Sequence, residues 1–454
     1  MAHVSGADPA VVAELLHRER AAFVERHPRS RELFERGRAS LLGGVPMTWM
    51  LEWAGGFPVF MQEAFGSRVR DVDGHTYVDL CLGDTGAMTG HAPPAAVAAI
   101  AERMGKGVTA MLPTEDAIWV GEELTRRFGV ARWQFTLTAT DANRFAIRIA
   151  REITGRPKIL VFNYCYHGTV DETFITLDEA GKPRSREGNV GPAVDPTMTT
   201  EVVEFNDVAA LEEALSGGDV ASVLTEPALT NIGIVIPEPG FHEALRDVTR
   251  RTGTLLIIDE THSISAGPGG YTGAHGLVPD VVTIGKPIGS GVPSGAFGVT
   301  EEVAERMFAR TGPDYQDVGG IGGTLAGNAL SLAAMRVTLE RVLTEEAYAR
   351  MIPLAERFTD GVESVIADHG APWHVTQLGC RAEYLFQPEP PRNGGQAAAR
   401  KGPDLDALVH VYLLNRGILM TPFHNMALMS PATTEADVDA HTEAFAAFAS
   451  EVLS

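Results

Sequence analysis

The sequence predicts an α/β protein with a large domain around a mostly parallel central sheet and a smaller α+β domain formed by both termini. Two patterns carry this expectation. From about residue 83 to 330, helically spaced segments alternate with short apolar runs, among them Lys158-Ile-Leu-Val-Phe162, Ser222-Val-Leu224, Leu255 to Ile258 and Val281 to Ile284. Such short, β-branched runs suit strands buried on both faces, and their alternation with helices implies βα units with right-handed crossovers. Outside that stretch the alternation stops, which sets expected boundaries at 1–82, 83–330 and 331–454.

In chain order, residues 8–37 are rich in Ala, Leu, Glu and Arg at helical spacing, and Gly43-Gly44-Val45-Pro46 ends that pattern. Arg68 to Leu82 reads as a hairpin turning at Asp73-Gly74. After the alternating region, Ala329 to Arg357 reads as one long helix. The proline-rich Gln387 to Pro403 reads as a surface loop. The sequence shows no internal repeat or low-complexity tract.

Composition narrows the function classes. A chain of 454 residues exceeds one ordinary domain, and 44% hydrophobic with 21% charged residues is globular usage. The formal net charge of −22 disfavours nucleic acid and anionic membranes. No apolar run reaches the roughly 18 residues that span a bilayer, and no secretory signal opens the chain. Cys81, Cys165 and Cys380 are odd in number and widely spaced. They offer no disulfide frame or zinc spacing, so no metal is expected, and they point to a reducing, cytoplasmic setting.

The chemistry concentrates at two strand ends. Thr254-Leu-Leu-Ile-Ile258 leads into Asp259-Glu260, and Val281-Val-Thr-Ile284 leads into Gly285-Lys286. In open α/β sheets ligands bind beyond the carboxyl ends of the strands. An acid and a lysine there point to pyridoxal 5′-phosphate, whose aldehyde needs a lysine amine and whose ring nitrogen needs an anion. The plain alternative makes Asp259 a loop cap and Lys286 a solvated strand end.

Further motifs carry a family likeness. Arg70-Asp71-Val-Asp-Gly74 with Tyr77-Val-Asp79, Gly90-His91, Thr136 to Asn143, Tyr166-His167-Gly168, Glu226-Pro227, Asp259-Glu260, Lys286 and Gly323-Thr324-Leu-Ala-Gly-Asn328 follow in that order. In this order they resemble the class III, fold-type I aminotransferases that use pyridoxal phosphate, especially the branch of glutamate-1-semialdehyde aminomutase and β-amino-acid transaminases. The likeness runs from about residue 38 to the C-terminus. It implies that Thr138, Ala139 and Thr140 offer donors to the cofactor phosphate at a helix N-terminus. Tyr166 would stack on the ring, with a core tyrosine as the alternative. The likeness makes Glu226 an acid of the ring-side network, Asp259 the partner of the ring nitrogen and Lys286 the lysine that carries the cofactor. Thr324 would reach the phosphate of a neighbouring subunit, which implies at least a homodimer with active sites at its interface.

Several departures from the family pattern stand out. Thr138-Ala-Thr-Asp-Ala142 replaces a pattern resembling Ser-Gly-Thr-Glu-Ala, and alanine for glycine restricts that turn. Thr261 stands where relatives carry a ring-covering valine. His262 reads as a loop histidine near a subunit boundary, with a proton carrier as the other reading. Gly267-Pro-Gly-Gly-Tyr-Thr-Gly273 lacks nucleotide-loop spacing and reads as a tight loop. Places where β-amino-acid transaminases carry carboxylate-binding arginines match Gly44 to Trp49 and Pro422-Phe423-His424, which hold none. Trp49, Trp53 and Phe423 would either line an apolar substrate site or belong to the core, leaving Arg381 as the remaining clamp. The expected function is a transaminase that moves an amino group from a small-molecule amine or amino acid donor to a keto acid or aldehyde acceptor, with aryl amines among the expected donors. The alternatives are an aminomutase and a non-catalytic cofactor-binding protein.

Overall fold

The apolar runs come together in one seven-stranded sheet. In this computed structural model, which describes residues 5–311, 320–399 and 402–454, its strands are β1 Arg132–Thr136, β2 Lys158–Phe162, β3 Thr200–Val203, β4 Val220–Thr225, β5 Leu255–Asp259, β6 Val281–Ile284 and β7 Gly295–Val299. Their order is β1-β7-β6-β5-β4-β2-β3. β7 runs antiparallel to both neighbours and the remaining pairs are parallel.

Burial on both faces explains the unbroken apolar runs. Ile159 and Val161 join Leu224, Ile257 and Val281 in a core under helix α1, Ala139–Thr154, which contributes Phe145, Ile149 and Ile153. Leu160 and Phe162 point the other way, with Val223, Leu256 and Ile258, against Phe241, Leu245 and Val248 of α2, Phe241–Thr252. The period of two along β2 thus feeds two separate cores.

The described chain divides into two units, Pro94–Glu345 with Pro391–Ala399, and Met1–Pro93 with Glu346–Pro390 and Arg400–Ser454. The sequence reading draws its boundaries at 82/83 and 330/331. The Gln387–Pro403 segment differs from a plain surface loop. Asn393 caps a short helix, Gly394–Ala398, by accepting the Gln396 amide at 2.9 Å. A Cβ on Gly394 would come within 2.1 Å of the Asn163 carbonyl oxygen, so this packing requires glycine. Residues 400 and 401 of that segment lie outside the described residues.

The terminal unit holds a four-stranded sheet in which Met61–Phe65, Arg68–Asp71 and Thr76–Asp79 form a meander and Ile418–Leu419 pairs in parallel with the last. The hairpin turns at Asp73-Gly74, where Asp71 Oδ1 accepts the amides of Asp73 (3.0 Å) and His75 (2.8 Å). A second sheet joins His374–Leu378, Arg381–Leu385 and Met426–Leu428. The helix expected over Ala329–Arg357 is interrupted. It runs as α3, Ala329–Val337, a π-helical turn over Thr338–Val342, and α4, Glu345–His369, which continues twelve residues past the expected end. The three cysteines are buried free thiols. Among the described residues no helix is long and apolar enough to cross a membrane.

Candidate active site

Three adjacent parallel strands deliver acids and a lysine to one edge. Asp259 ends β5 and pairs in register with Thr283 of β6, while Ile258 pairs with Thr225, the last residue of β4. Glu226 follows β4 directly, and Gly285-Lys286 follows β6. The parallel register makes the sequence spacing a spatial neighbourhood.

Asp259 is buried and firmly oriented. Its Oδ2 accepts Asn143 Nδ2 at 2.8 Å and His167 Nδ1 at 2.9 Å, and its Oδ1 accepts the Thr261 amide at 3.0 Å. Asn143 is itself held, taking the Thr283 hydroxyl on Oδ1 at 2.6 Å and donating to the His167 carbonyl at 3.1 Å. Burial pushes the Asp259 pKa up, but the His167 hydrogen bond and charge, with Thr261 and Asn143, more than offset this and hold it below its ordinary value. Burial likewise lowers His167, and the neighbouring Cys165 sulfur and Asp259 carboxylate override it and raise its pKa. The pair is therefore a carboxylate with a proton donor beside it.

Lys286 sits at φ 43°, a left-handed conformation that costs a non-glycine residue about 1–3 kcal/mol and gathers at functional sites. Its Nζ lies 2.7 Å from Nε2 of His262. His262 lies in the turn after β5, as a loop residue, and its ring touches the candidate lysine, the contact that the proton-carrier reading needs.

Glycines of two neighbouring loops, Gly168 and Gly285, make room for the side chains at the start of α1. Thr138 caps α1, its hydroxyl accepting the Asp141 amide at 3.2 Å and donating to Asp141 Oδ2 at 3.1 Å. That hydroxyl is committed within the cap, so an anion placed here would meet the helix-start amides and Thr140. Ala139, in place of the usual glycine, is accommodated by Gly285, where a Cβ would approach the Ala139 Cβ to 2.9 Å. Gly168, at φ +77°, leaves room for Thr140, whose Oγ1 would lie 2.0 Å from a Cβ there.

The remaining expected residues fall into place unevenly. Glu226 is buried and accepts the Thr230 hydroxyl. Thr261 is buried beside Asp259, Tyr166 is 39% exposed, and Thr324 stands exposed on the turn before α3. In the other unit Trp49 and Phe423 are exposed, whereas Arg381 is fully buried with Nη1 3.4 Å from the Thr85 hydroxyl. Asn143, His167 and Thr283 escape a functional reading from sequence, because a polar residue on a helix face or strand reads equally as core. Leu82, Asp84 and Thr85 also hold positive φ angles of 43°, 49° and 80° in succession, a strained run that no composition signal marks.

These residues fit pyridoxal phosphate. They supply a buried, donor-supported carboxylate, a strained lysine on the next strand end, and the amides of a helix start packed closely against Gly168 and Gly285. The class III aminotransferase family model matches residues 50–448. A glutamate-1-semialdehyde 2,1-aminomutase of Anaeromyxobacter dehalogenans is 33% identical over 415 residues, covering 90% of this chain and 95% of the relative. A crystal structure of a glutamate-1-semialdehyde-aminomutase from Pseudomonas aeruginosa PAO1 matches with a TM-score of 0.96 at 51% identity, covering 99% of this chain and all of that one. A K286A form in complex with PMP matches equally well. An omega-transaminase from Sphaerobacter thermophilus gives a TM-score of 0.87 at 30% identity, covering 95% of this chain and all of that one. The chain therefore belongs to the class III aminotransferases, pyridoxal-phosphate-dependent enzymes of fold-type I.

Proposed function

We propose that this protein is a transaminase that moves an amino group from a small amine or amino acid to a keto acid or aldehyde in two half-reactions. The observation that carries the reading is the buried Asp259, fixed by Asn143 and His167, one strand away from Lys286. Pyridoxal phosphate, when bound, supplies an aldehyde that exchanges amines and a ring that accepts electrons from the substrate's α-carbon.

The protein's residues prepare that chemistry. Asp259, kept ionised, holds the proton on the ring nitrogen. Lys286 would hold the cofactor through its amine and, with that amine free, would move the α-proton. Tyr166 and Thr261 would flank the ring, Glu226 would belong to the ring-side network, and Thr138, Ala139 and Thr140 would form the phosphate turn. Thr324 completes the phosphate site of a second subunit. A homodimer is supported by the exposure of Met111, Leu112 and Leu325 of the same unit, large apolar side chains that a partner subunit would cover.

In this reading aryl amines are accepted, and the exposed aromatic side chains Trp49 and Phe423 are the candidate substrate residues. The burial of Arg381 within its own unit supports an internal role over a carboxylate clamp. A second reading, an aminomutase that shifts an amino group within one molecule, is favoured by the names of the A. dehalogenans and P. aeruginosa relatives. A donor panel, following cofactor absorbance, decides between them. Amine-driven conversion that requires an added keto acid for turnover supports the transaminase, and turnover without any second carbonyl substrate supports the aminomutase.

A further inference from the structure

We propose that His262 is a catalytic proton partner of Lys286, its Nε2 taking the proton that Nζ has collected and returning it. The inference rests on the amino-transfer reading above and deepens it. Lys286 Nζ and His262 Nε2 are 2.7 Å apart, the distance of a direct hydrogen bond. A bond between two basic nitrogens has one of them as donor and leaves the other's lone pair as acceptor. Imidazole exchanges protons near neutrality, which suits it to this exchange.

Both partners are held rather than merely adjacent. The His262 loop is anchored by buried Glu260, which accepts the Ser263 hydroxyl at 2.6 Å and the amides of Tyr271 at 3.0 Å and Thr272 at 2.6 Å. A Cβ on Gly270 would come within 2.2 Å of that carboxylate, so the loop closes tightly over it. The Ser265 amide donates to the His262 carbonyl at 3.2 Å, and Lys286 is fixed at its left-handed φ ahead of Pro287. In the step itself the Nζ–H bond of the lysine ammonium breaks, leaving its electron pair on Nζ. An Nε2–H bond forms from the imidazole lone pair, and the positive charge passes to the ring. The reverse transfer restores the donor for product formation.

Two measurements test this. In cofactor-free protein with 15N-labelled histidine, the ring signal lost in His262→Gln identifies His262 among the fourteen histidines. Lys286→Ala should move that signal more than any other, and an unmoved signal overturns the contact. In the loaded enzyme, His262→Gln keeps a hydrogen-bonding side chain but cannot take up a proton. Its amine half-reaction should slow about 100-fold, the lower range for general acid–base catalysis, with unchanged cofactor affinity. A rate equal to wild type overturns the proton role. If the Gln variant does not fold, His262→Asn takes its place for both assignment and rates. Failure of wild type to convert its cofactor with any amine would sink the transaminase reading instead, leaving the histidine spectrum to judge the contact.

Discussion

His167 donates through Nδ1 to Oδ2 of Asp259 at 2.9 Å, and both side chains are buried. The imidazole reaches the carboxylate from the loop after β2, 92 residues earlier in the chain. This bond ties the charge state of the acid to a residue outside its own strand.

Asp259→Asn is expected to lose most activity and also some stability. Both oxygens face donors, the Thr261 amide at Oδ1 and Asn143 with His167 at Oδ2. Either orientation of an amide sets its NH2 against one of these. An unmet buried donor costs about 1–3 kcal/mol. Thermal melting of the cofactor-free variant should show that loss, and cofactor titration should show weakened binding. A variant with wild-type melting and rate would mean that the ring partner lies elsewhere.

His167→Gln should shift the acid limb of stability upward. Asp259 titrates below its ordinary value in the folded state, so its ionisation stabilises the fold above the unfolded pKa of about 3.9 and that contribution is lost as pH falls through the folded value. Without the imidazole, burial dominates and the folded pKa rises. Melting of cofactor-free protein between about pH 3 and 6 should show the variant losing stability at higher pH than wild type. Coincident acid limbs would remove His167 from the control of Asp259.

Gly168→Ala should weaken cofactor binding about tenfold or more, the equivalent of 1.4 kcal/mol. The new methyl would meet Thr140 Oγ1 at 2.0 Å and its Cα at 3.0 Å, so the start of α1 must move. Gly276→Ala is the control, since its φ of +62° is comparable but nothing lies within 4 Å of the added Cβ. Equal effects in the two variants would assign the loss to backbone strain alone.

Much of this site was legible in the sequence, for a physical reason. Asp259 and Lys286 follow runs buried on both faces, whose composition marks strand ends. β1 and β7 gave weaker signals because Arg132 and Gln134 are exposed and Gly295 and Gly298 interrupt the apolar pattern. The long helix after residue 329 was read through its break, since apolar periodicity does not register a π-turn in which Leu343 N bonds back to Thr338 O at 2.8 Å. The sequence leaves both readings of His262 open, because its contact comes from a neighbouring strand end 24 residues away. Likewise, the importance of Asn143 and His167 depends on where β5 ends in space.

His441→Phe should stabilise the protein in mild acid. His441 is fully buried, with ring centroids of Phe358 at 4.5 Å and Phe445 at 5.8 Å, and neither ring nitrogen has a hydrogen-bond partner among the described residues. Burial pushes its pKa down to about 3. The folded state keeps the ring neutral while the unfolded chain takes up a proton below about 6.5, so stability is full above that value and falls as pH drops toward the folded pKa. At pH 5 the loss amounts to about 2 kcal/mol. Denaturant midpoints measured from pH 7 to 5 should fall less in the variant, and parallel slopes would contradict the assignment.

The central claim is that Lys286 holds the cofactor, and the chain's five lysines make it directly testable. Borohydride reduction of the loaded protein fixes the cofactor to whichever lysine carries it, and peptide mapping then locates the modified residue. The account predicts the pyridoxyl group on Lys286, with no labelling in Lys286→Ala. Modification of Lys106, Lys158, Lys182 or Lys401 in its place would contradict it.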